Sequence, residues 1–187
     1  MYDEEGEPFQ AFYHPLQSAS IPNYGYNGTL NSFTKRKYTS VSNSTRGRII
    51  LPAGFIAEPY FSFSRSFNNT DIFLPASHTN FYEQGDITKR GSYNKGESIS
   101  DTYQVGLTLN YNKTWNRHVV FAGLNTKLYQ KKTDRFSMVA TGFLNDDMNH
   151  ISNALTYQDG LKPQGDETRQ RTVEYVGSVN YNYNLRY

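Results

Sequence analysis

Apolar and polar residues alternate strictly between Thr102 and Asn112. The odd positions are aromatic or aliphatic: Tyr103, Val105, Leu107, Leu109 and Tyr111. The even positions carry an amide, a hydroxyl or no side chain: Gln104, Gly106, Thr108, Asn110 and Asn112. Because successive side chains of a strand point to opposite faces, this alternation predicts a strand with one apolar and one polar face.

Two further runs repeat the pattern. The first begins at Val119, directly after the short connection 115–118, and Thr126 is the one polar residue on its aliphatic face. The second lies at 172–183 and has valines and tyrosines on one face. Runs joined by so short a connection predict an antiparallel hairpin. The predicted strands are therefore about 102–113, 119–130 and 172–183.

An earlier pair of runs is less regular. Residues 38–50 and 55–67 predict two strands joined by a turn at Pro52-Ala53-Gly54, where proline and glycine suit the turn. Arg65 interrupts the apolar face of the second strand. Long polar connections at about 68–101 and 131–171 separate the hairpins, and loops of that length are usually functional. One or two turns of helix are expected only within 147–155.

Strands of this length with one apolar face, short turns at one end and long loops at the other are typical of an outer-membrane β-barrel. The alternative is a soluble or surface-exposed β-sandwich that binds glycans, with the apolar faces packed together. Five strands cannot close a barrel, whose smallest single-chain form has eight. We therefore expect the chain to be part of a larger barrel, without signal peptide or plug domain.

The barrel interpretation gives each face a role. Lumen-facing residues are expected to be Gln104, Asn110, Asn112, Asn125, Lys127, Glu174 and Asn180. Lipid-facing and interfacial residues are expected to be Tyr103, Val105, Leu107, Leu109, Tyr111, Trp115, Val120, Leu124, Val173, Tyr175, Val179, Tyr181 and Tyr183.

Composition, charge and the absence of known motifs exclude several classes of protein and of site. Hydrophobic residues make up 36% and aromatic residues 16%, which fits strands that are apolar on one face only. A net charge of +2 gives no field that favours nucleic acid, and the absence of cysteine excludes disulfides and thiolate metal sites. No nucleophile elbow, phosphate loop or His-Glu-x-x-His pattern occurs, so we expect no enzyme, cofactor or metal site. Carboxylates at Asp146 and Asp147 are better explained by loop hydrogen bonds than by calcium.

Aromatic and polar residues in the two long connections are the candidate contacts for a ligand or a partner protein. They are Phe73, His78, Phe81, Tyr82, Phe143, Asn145, Asp146, Met148 and Tyr157. The alternative is that most of them fold the loops onto themselves.

Several stretches, in order along the chain, form a recognisable series. They are residues 26–33 (YNGTLNSF), 37–39, 73–79 (FLPASHT), 89–93 (KRGSY), 109–115 (LNYNKTW) with His118, 142–146 (GFLND) and 176–183 (VGSVNYNY). Together these stretches resemble SusC/RagA-type TonB-linked outer-membrane transporters. Leu144 replaces the proline usual in the family's Gly-Phe-Pro-Asn-Asp loop, and residues 45–57 depart from the family pattern.

The resemblance implies a 22-stranded barrel with a separate plug domain in the bacterial outer membrane. It also implies energised import of nutrients, chiefly oligosaccharides or else peptides. The implied partners are the rest of the barrel and plug, a SusD-type lipoprotein, the TonB system and outer-membrane lipid. This chain would supply roughly a quarter of the strands.

Overall fold

The computed structural model describes residues 6, 9–14 and 19–184, and it is all-β with an antiparallel sheet. The strands are β1 (Ala11–His14), β2 (Ala19–Pro22), β3 (Phe33–Arg46), β4 (Ile49–Ile50), β5 (Phe55–Leu74), β6 (Ser92–Trp115), β7 (His118–Thr141), β8 (Thr156–Tyr157) and β9 (Gln164–Tyr183). Short 3-10 helices lie at Tyr26–Thr29, Pro52–Gly54, Thr79–Phe81, Ile87–Lys89 and Ile151–Asn153. Within these ranges no helix is long and apolar enough to cross a membrane.

The long strands of the larger sheet follow one another in chain order. Its order is β3-β5-β6-β7-β8, with β4 also paired to β5 and β9 paired to β7, while β1 and β2 form a separate hairpin. The chain divides into two compact units. Unit 1 comprises Met1–Tyr38, Asn68–Ser98 and Arg135–Asp166, and unit 2 comprises Thr39–Phe67, Ile99–Asp134 and Glu167–Tyr187.

The strands run further than the alternation of the sequence indicates. β5 continues to Leu74, β6 begins at Ser92, β7 continues to Thr141 and β9 begins at Gln164. The connections are accordingly 75–91 and 142–163, shorter than the predicted loops. The added segments have polar or charged residues on both faces, so they lack the apolar alternation from which a half-buried strand is predicted.

The first predicted strand begins earlier and is interrupted. β3 starts at Phe33 rather than near residue 38 and ends at Arg46, and the two-residue β4 follows. Ile49 pairs with Ala57 and Ile50 with Ile56, which defines the register in the stretch that departs from the family pattern. The turn at 52–54 forms as predicted, with positive φ angles at its last two residues.

Two short elements differ from expectation. Within 147–155 the structure has only the 3-10 turn Ile151–Asn153, because the polar residues before it make turn hydrogen bonds instead. The β1–β2 hairpin was not predicted, since four-residue strands carry too few positions to show a period.

Aromatic rings form the core of unit 1. Phe73, Tyr93, Ala140 and Phe143 are buried together, and Phe33 packs against them. The ring centroids of Phe73 and Phe143 are 5.1 Å apart in an edge-to-face arrangement, and those of Phe33 and Phe73 are 5.7 Å apart. Such pairs are stabilising beyond the area that they bury, so this cluster holds the strand ends and the connections together.

Candidate functional site

The two long connections of unit 1 bind each other through their backbones. The amides of Gly142 and Phe143 both donate to the carbonyl oxygen of Arg90, each at 3.0 Å. The amide of Ser77 donates to Oδ1 of Asp146 at 3.0 Å. Asp146 therefore fastens one connection to the other, as the loop-folding interpretation expected. No group of three or more potential metal ligands occurs among the described residues.

Gly142 is required at the junction of these connections. Its φ of +82° lies in the left-handed region that favours glycine. A Cβ atom there would lie 2.9 Å from the carbonyl oxygen of Thr88 and 2.9 Å from the Cβ of Leu155. A side chain at residue 142 would thus separate the two connections, which explains why a glycine precedes the buried Phe143.

Residues of the N-terminal segment bind the first long connection of unit 1. Asn27 bonds twice to Thr79: its Nδ2 donates to Oγ1 at 2.8 Å, and its Oδ1 accepts from the amide at 3.0 Å. The hydroxyl of Tyr82 donates to the carbonyl oxygen of Ser20 at 3.0 Å. This role of Asn27 was not predicted, because the Asn-Gly pair at 27–28 indicates only a turn.

Two of the candidate loop residues are structural. Phe73 and Phe143 have no exposed side-chain surface, so neither ring presents a face to a ligand or a partner protein. This corrects the expectation for these two residues and favours the alternative that they fold the connections. Aromatic type alone did not distinguish buried rings from exposed ones.

Other candidates come together around a cavity of about 400 Å³ in unit 1. Phe81, Tyr82, Asn145 and Asp146 line it, together with Arg90 and others. The guanidinium Nε of Arg90 donates to the carbonyl oxygen of Gln84 at 2.6 Å, which holds the cation in place. The cavity thus combines an aromatic wall with amide, carboxylate and guanidinium groups, the mixture that polar ligands require.

A second cavity of unit 1 has a volume of about 590 Å³. Its aliphatic part consists of Ile72, Leu74 and Val139, and side-chain amides of Asn80, Gln84, Asn94 and Gln158 surround it. Lys89 and Asp159 form an ion pair at its edge. The hydrogen bond to Asp159 is the main reason why the pKa of Lys89 is raised. Phe81 lines both cavities.

The remaining candidates lie apart from these cavities. Met148 and Tyr157 are 43% and 49% exposed. His78 caps a 3-10 turn, with its Nδ1 accepting from the amide of Asn80 at 3.2 Å, and partial burial lowers the pKa of its imidazole. His150 caps the turn at Ile151–Asn153 in the same way, whereas the side chain of His14 lies outside the described part of the chain.

In unit 2 the predicted polar residues meet across strands. Asn125 donates to the hydroxyl of Thr108 at 2.8 Å, and the ammonium of Lys127 pairs with the carboxylate of Glu174 at 3.2 Å. Their alternation places Gln104, Asn110, Asn112 and Asn180 on this polar face as well. On the same face Gly106 is covered by the ring of Tyr60 from β5.

The opposite face of unit 2 carries an exposed apolar band. On β6 the band spans nine residues, from Tyr103 to Tyr111, and on β9 eleven, from Val173 to Tyr183. Tyr175 is 74% and Val179 78% exposed. Val105, Leu107, Leu124, Trp115 and Tyr181 are also exposed, whereas Leu109, Tyr111 and Val120 are half-buried.

Charged residues end the band on one side. The next residue on the same face is Arg65 on β5, Asp101 on β6 and Arg171 on β9, and on β7 Gln130 precedes Lys132. Arg65 and Asp101 form an ion pair with an N–O distance of 3.4 Å, and Arg171 donates to Gln130 at 3.0 Å. Arg65, which interrupted the alternation in the sequence, therefore lies level with the charged end of the band, and its guanidinium covers the ring of Phe67, the next residue on that face.

The band runs obliquely across the strands. Phe63 packs on Tyr103, and the register of β6 with β7 places Tyr103 opposite Gln130, the partner of Arg171. At the charged end, the last apolar residue on β9, Val173, is therefore one apolar position further from the charges than Phe63 on β5. At the opposite end the band on β9 continues to Tyr183, two apolar positions beyond the level of Phe55 on β5. Trp115 on β6 lies level with Tyr183, so the offset that all four strands share is the single apolar position at the charged end.

Aromatic residues mark the other end of the band. The rings of Trp115 and His118 are stacked with centroids 5.7 Å apart, and Nδ1 of His118 is 2.7 Å from the hydroxyl of Tyr181. Tyr183 packs on the same imidazole at 5.1 Å. An aromatic cluster with hydrogen-bonding groups suits an environment that is apolar on one side and wet on the other.

Solved structures of one transporter system share this fold. The structure of the RagAB peptide transporter has a similar chain at a TM-score of 0.75 and 12% identity, covering 98% of this chain and 20% of that one. The RagAB peptide importer in the closed-closed state gives 0.74 and 13%, with 97% and 20% covered. Its open-open state gives 0.67 and 14%, with 98% and 20% covered.

These similarities show the fold: this chain has the architecture of part of a RagAB chain, about a fifth of its length. No known protein-family pattern matches the sequence, and no curated protein matches it. The all-β, antiparallel fold expected from the resemblance is thus confirmed, whereas the 22-stranded barrel, the plug, the membrane location, transport, substrate and partners are proposals.

Proposed function

We propose that this chain is a segment of a SusC/RagA-like, TonB-dependent importer in the bacterial outer membrane. The remaining strands of the barrel and the plug would come from other parts of the same protein. In this role the apolar band of unit 2 meets lipid and the polar face meets the lumen or the plug. The proposal assigns no catalytic step and no cofactor to the chain.

The oblique apolar band carries the proposal. A transmembrane β-strand needs about 9–11 residues when it is tilted, and the strands of a barrel are inclined by roughly 35–45°. The nine residues on β6 and eleven on β9 match that length. A soluble β-sandwich would instead bury this face in its interior.

The loop unit suits ligand capture. The two cavities that Phe81 lines join aromatic and aliphatic surface to amide and charged groups, which fits oligosaccharides and also peptides. We favour oligosaccharides, and a SusD-type lipoprotein as the partner that contacts exposed loop residues such as Met148 and Tyr157. Import would then depend on force from the TonB system, acting on the plug.

Paired arginine substitutions test the lipid-facing assignment. Leu107→Arg puts a charge on the apolar face, whereas Thr108→Arg puts it on the polar face of the same strand. At the midplane a lipid-facing arginine costs about 2–4 kcal/mol, so Leu107→Arg should reduce the fraction of assembled protein in outer membranes. Heat-modifiable migration of the full-length protein on gels measures that fraction.

The neighbouring variant serves as the control. Thr108→Arg should assemble close to the unsubstituted level, although it loses the hydrogen bond with Asn125. Equal assembly of the two variants would refute the lipid-facing assignment, and with it the proposed function. Recovery of the unsubstituted protein as a detergent-free monomer would favour the sandwich.

A further inference from the structure

The charges at the edge of the apolar band are ordered along β7 and β9. On β9, reading away from the band, Val173 is followed on the same face by Arg171, Arg169 and Glu167. On β7, Leu128 is followed by Gln130, Lys132 and Asp134. On β9 the cations therefore lie next to the band, whereas on β7 Gln130 separates Lys132 from it. On both strands the carboxylates lie beyond the cations, and on β6 Asp101 is the first residue past the band.

Ion pairs maintain this order. The ammonium of Lys132 is 2.9 Å from the carboxylate of Glu167 and 3.3 Å from that of Asp134. Arg169 pairs with Glu167 at 3.2 Å. The hydrogen bonds that this ammonium donates to Glu167 and Asp134 raise the pKa of Lys132, so the side chain keeps its charge. The carboxylates thus attract the cations from the side that lies away from the band.

The three cations keep part of their side-chain surface exposed. The side chain of Lys132 is 33% and that of Arg169 50% exposed, and Arg171 is exposed as well. The Nε of Arg171 donates to Gln130. The two terminal NH2 groups of the guanidinium take no part in that bond. Neighbouring strands are about 4.8 Å apart and alternate residues of a strand about 7 Å apart, so one headgroup can reach all three.

Resting on the proposed function, we infer that Lys132, Arg169 and Arg171 form a binding site for a phosphorylated lipid headgroup at the membrane surface. The apolar band takes the acyl chains, and the three cations meet the phosphate directly where the hydrocarbon ends. Arginine suits this role because its planar fork binds phosphate through two hydrogen bonds. The carboxylates beyond the cations exclude the phosphate from positions further from the membrane.

Lipid selectivity of the reconstituted full-length protein tests the site. The probe is spin-labelled phosphatidic acid at trace level in phosphatidylcholine vesicles, with spin-labelled phosphatidylcholine as the reference lipid. The test variant combines Lys132→Gln, Arg169→Gln and Arg171→Gln. Each cation at a membrane surface is worth about a five-fold preference, so the triple variant should lose at least about ten-fold of the selectivity.

The chain offers a matched control on its polar face. Lys127→Gln, Lys131→Gln and Arg135→Gln also remove three cations from β7, but from the face with the opposite alternation. This variant should keep the selectivity, and so should the charge-conserving pair Arg169→Lys and Arg171→Lys, at least in part. Equal loss in both triple variants would show a general charge effect and overturn the site.

Three further results would overturn it. If millimolar inorganic phosphate abolishes the selectivity, the cations bind free phosphate rather than a lipid. If a nitroxide at Leu107 is accessible to oxygen within the bilayer but the first triple variant keeps its selectivity, the lipid site fails while the proposed function stands. If that nitroxide does not reach the bilayer, the proposed function and the site fail together.

Discussion

Gly106 and Tyr60 form a close contact on the polar face of unit 2. Gly106 is buried beneath the Tyr60 ring, and a Cβ atom at residue 106 would lie 2.2, 2.4 and 2.6 Å from Cε1, Cζ and the hydroxyl oxygen of that ring. Ordinary contacts of a Cβ begin near 3.4 Å. Gly106→Ala therefore requires the ring to move by about 1 Å or more, because three of its atoms meet the new methyl group.

The expected cost can be divided into two parts. Overpacking of this kind costs about 1–3 kcal/mol. The ring also lies beneath the guanidinium of Arg46, 5.9 Å from its centroid, and displacement weakens a contact worth about 0.5–1 kcal/mol. We expect Gly106→Ala to lower the free energy of unfolding by about 2–3 kcal/mol.

Denaturant titration of the folded full-length protein in lipid vesicles measures this change. Gly177→Ala on β9 is the matched control, because nothing lies within 4 Å of a Cβ added there. The double variant Gly106→Ala with Tyr60→Ala should cost less than the sum of the single changes, since the methyl group then meets no ring. A cost for Gly106→Ala no greater than for Gly177→Ala, or simple additivity in the double variant, would refute this contact.

Three further predictions concern unit 1. Phe143→Ala should destabilise the unit by about 3–5 kcal/mol because the ring is fully buried, whereas Met148→Ala should leave stability unchanged and reduce co-purification of a lipoprotein partner. Asn27→Ala should increase hydrogen exchange at the amide of Thr79, which loses its acceptor, and Asn43→Ala on an exposed strand should not. Since burial lowers the pKa of His78 below 6.5, the unfolded chain binds the proton more readily. The stability that His78 contributes should be constant above pH 6.5 and decrease as the pH falls below it, and His78→Gln should remove this dependence; hydrogen exchange at Asn80 on both sides of that pH measures it.

The sequence predicted unit 2 well because the apolar alternation there is regular. Tyr103, Leu107 and Val179 lie on one face of their strands, and Asn125 and Lys127 on the other, with β6 and β7 forming the expected hairpin. Alternation indicates which face of a strand is apolar, and it continues over the whole band. It gives no signal for the ends of strands where both faces are polar. For that reason the start of β6 was predicted near residue 102, whereas the strand begins at Ser92.

Unit 1 could not be derived in the same way, because its contacts join residues that are far apart in sequence. The bonds of Asn27 to Thr79 and of Asp146 to Ser77 depend on the relative placement of separate connections. No local pattern distinguishes these side chains from other loop residues. Similarly, Phe143 and Met148 looked equivalent as candidates, and only packing against Phe73 separates them.

The central claim is that one face of unit 2 meets lipid and the other does not. The chain has no cysteine, so single cysteines at residues 103–111 can each be spin-labelled, provided that the rest of the full-length protein is made cysteine-free. In vesicles, we expect high accessibility to oxygen at the odd residues, highest near Leu107, and high accessibility to a polar nickel reagent at the even residues. Accessibility without a two-residue period, or with the opposite phase, would show that this face of unit 2 does not meet lipid.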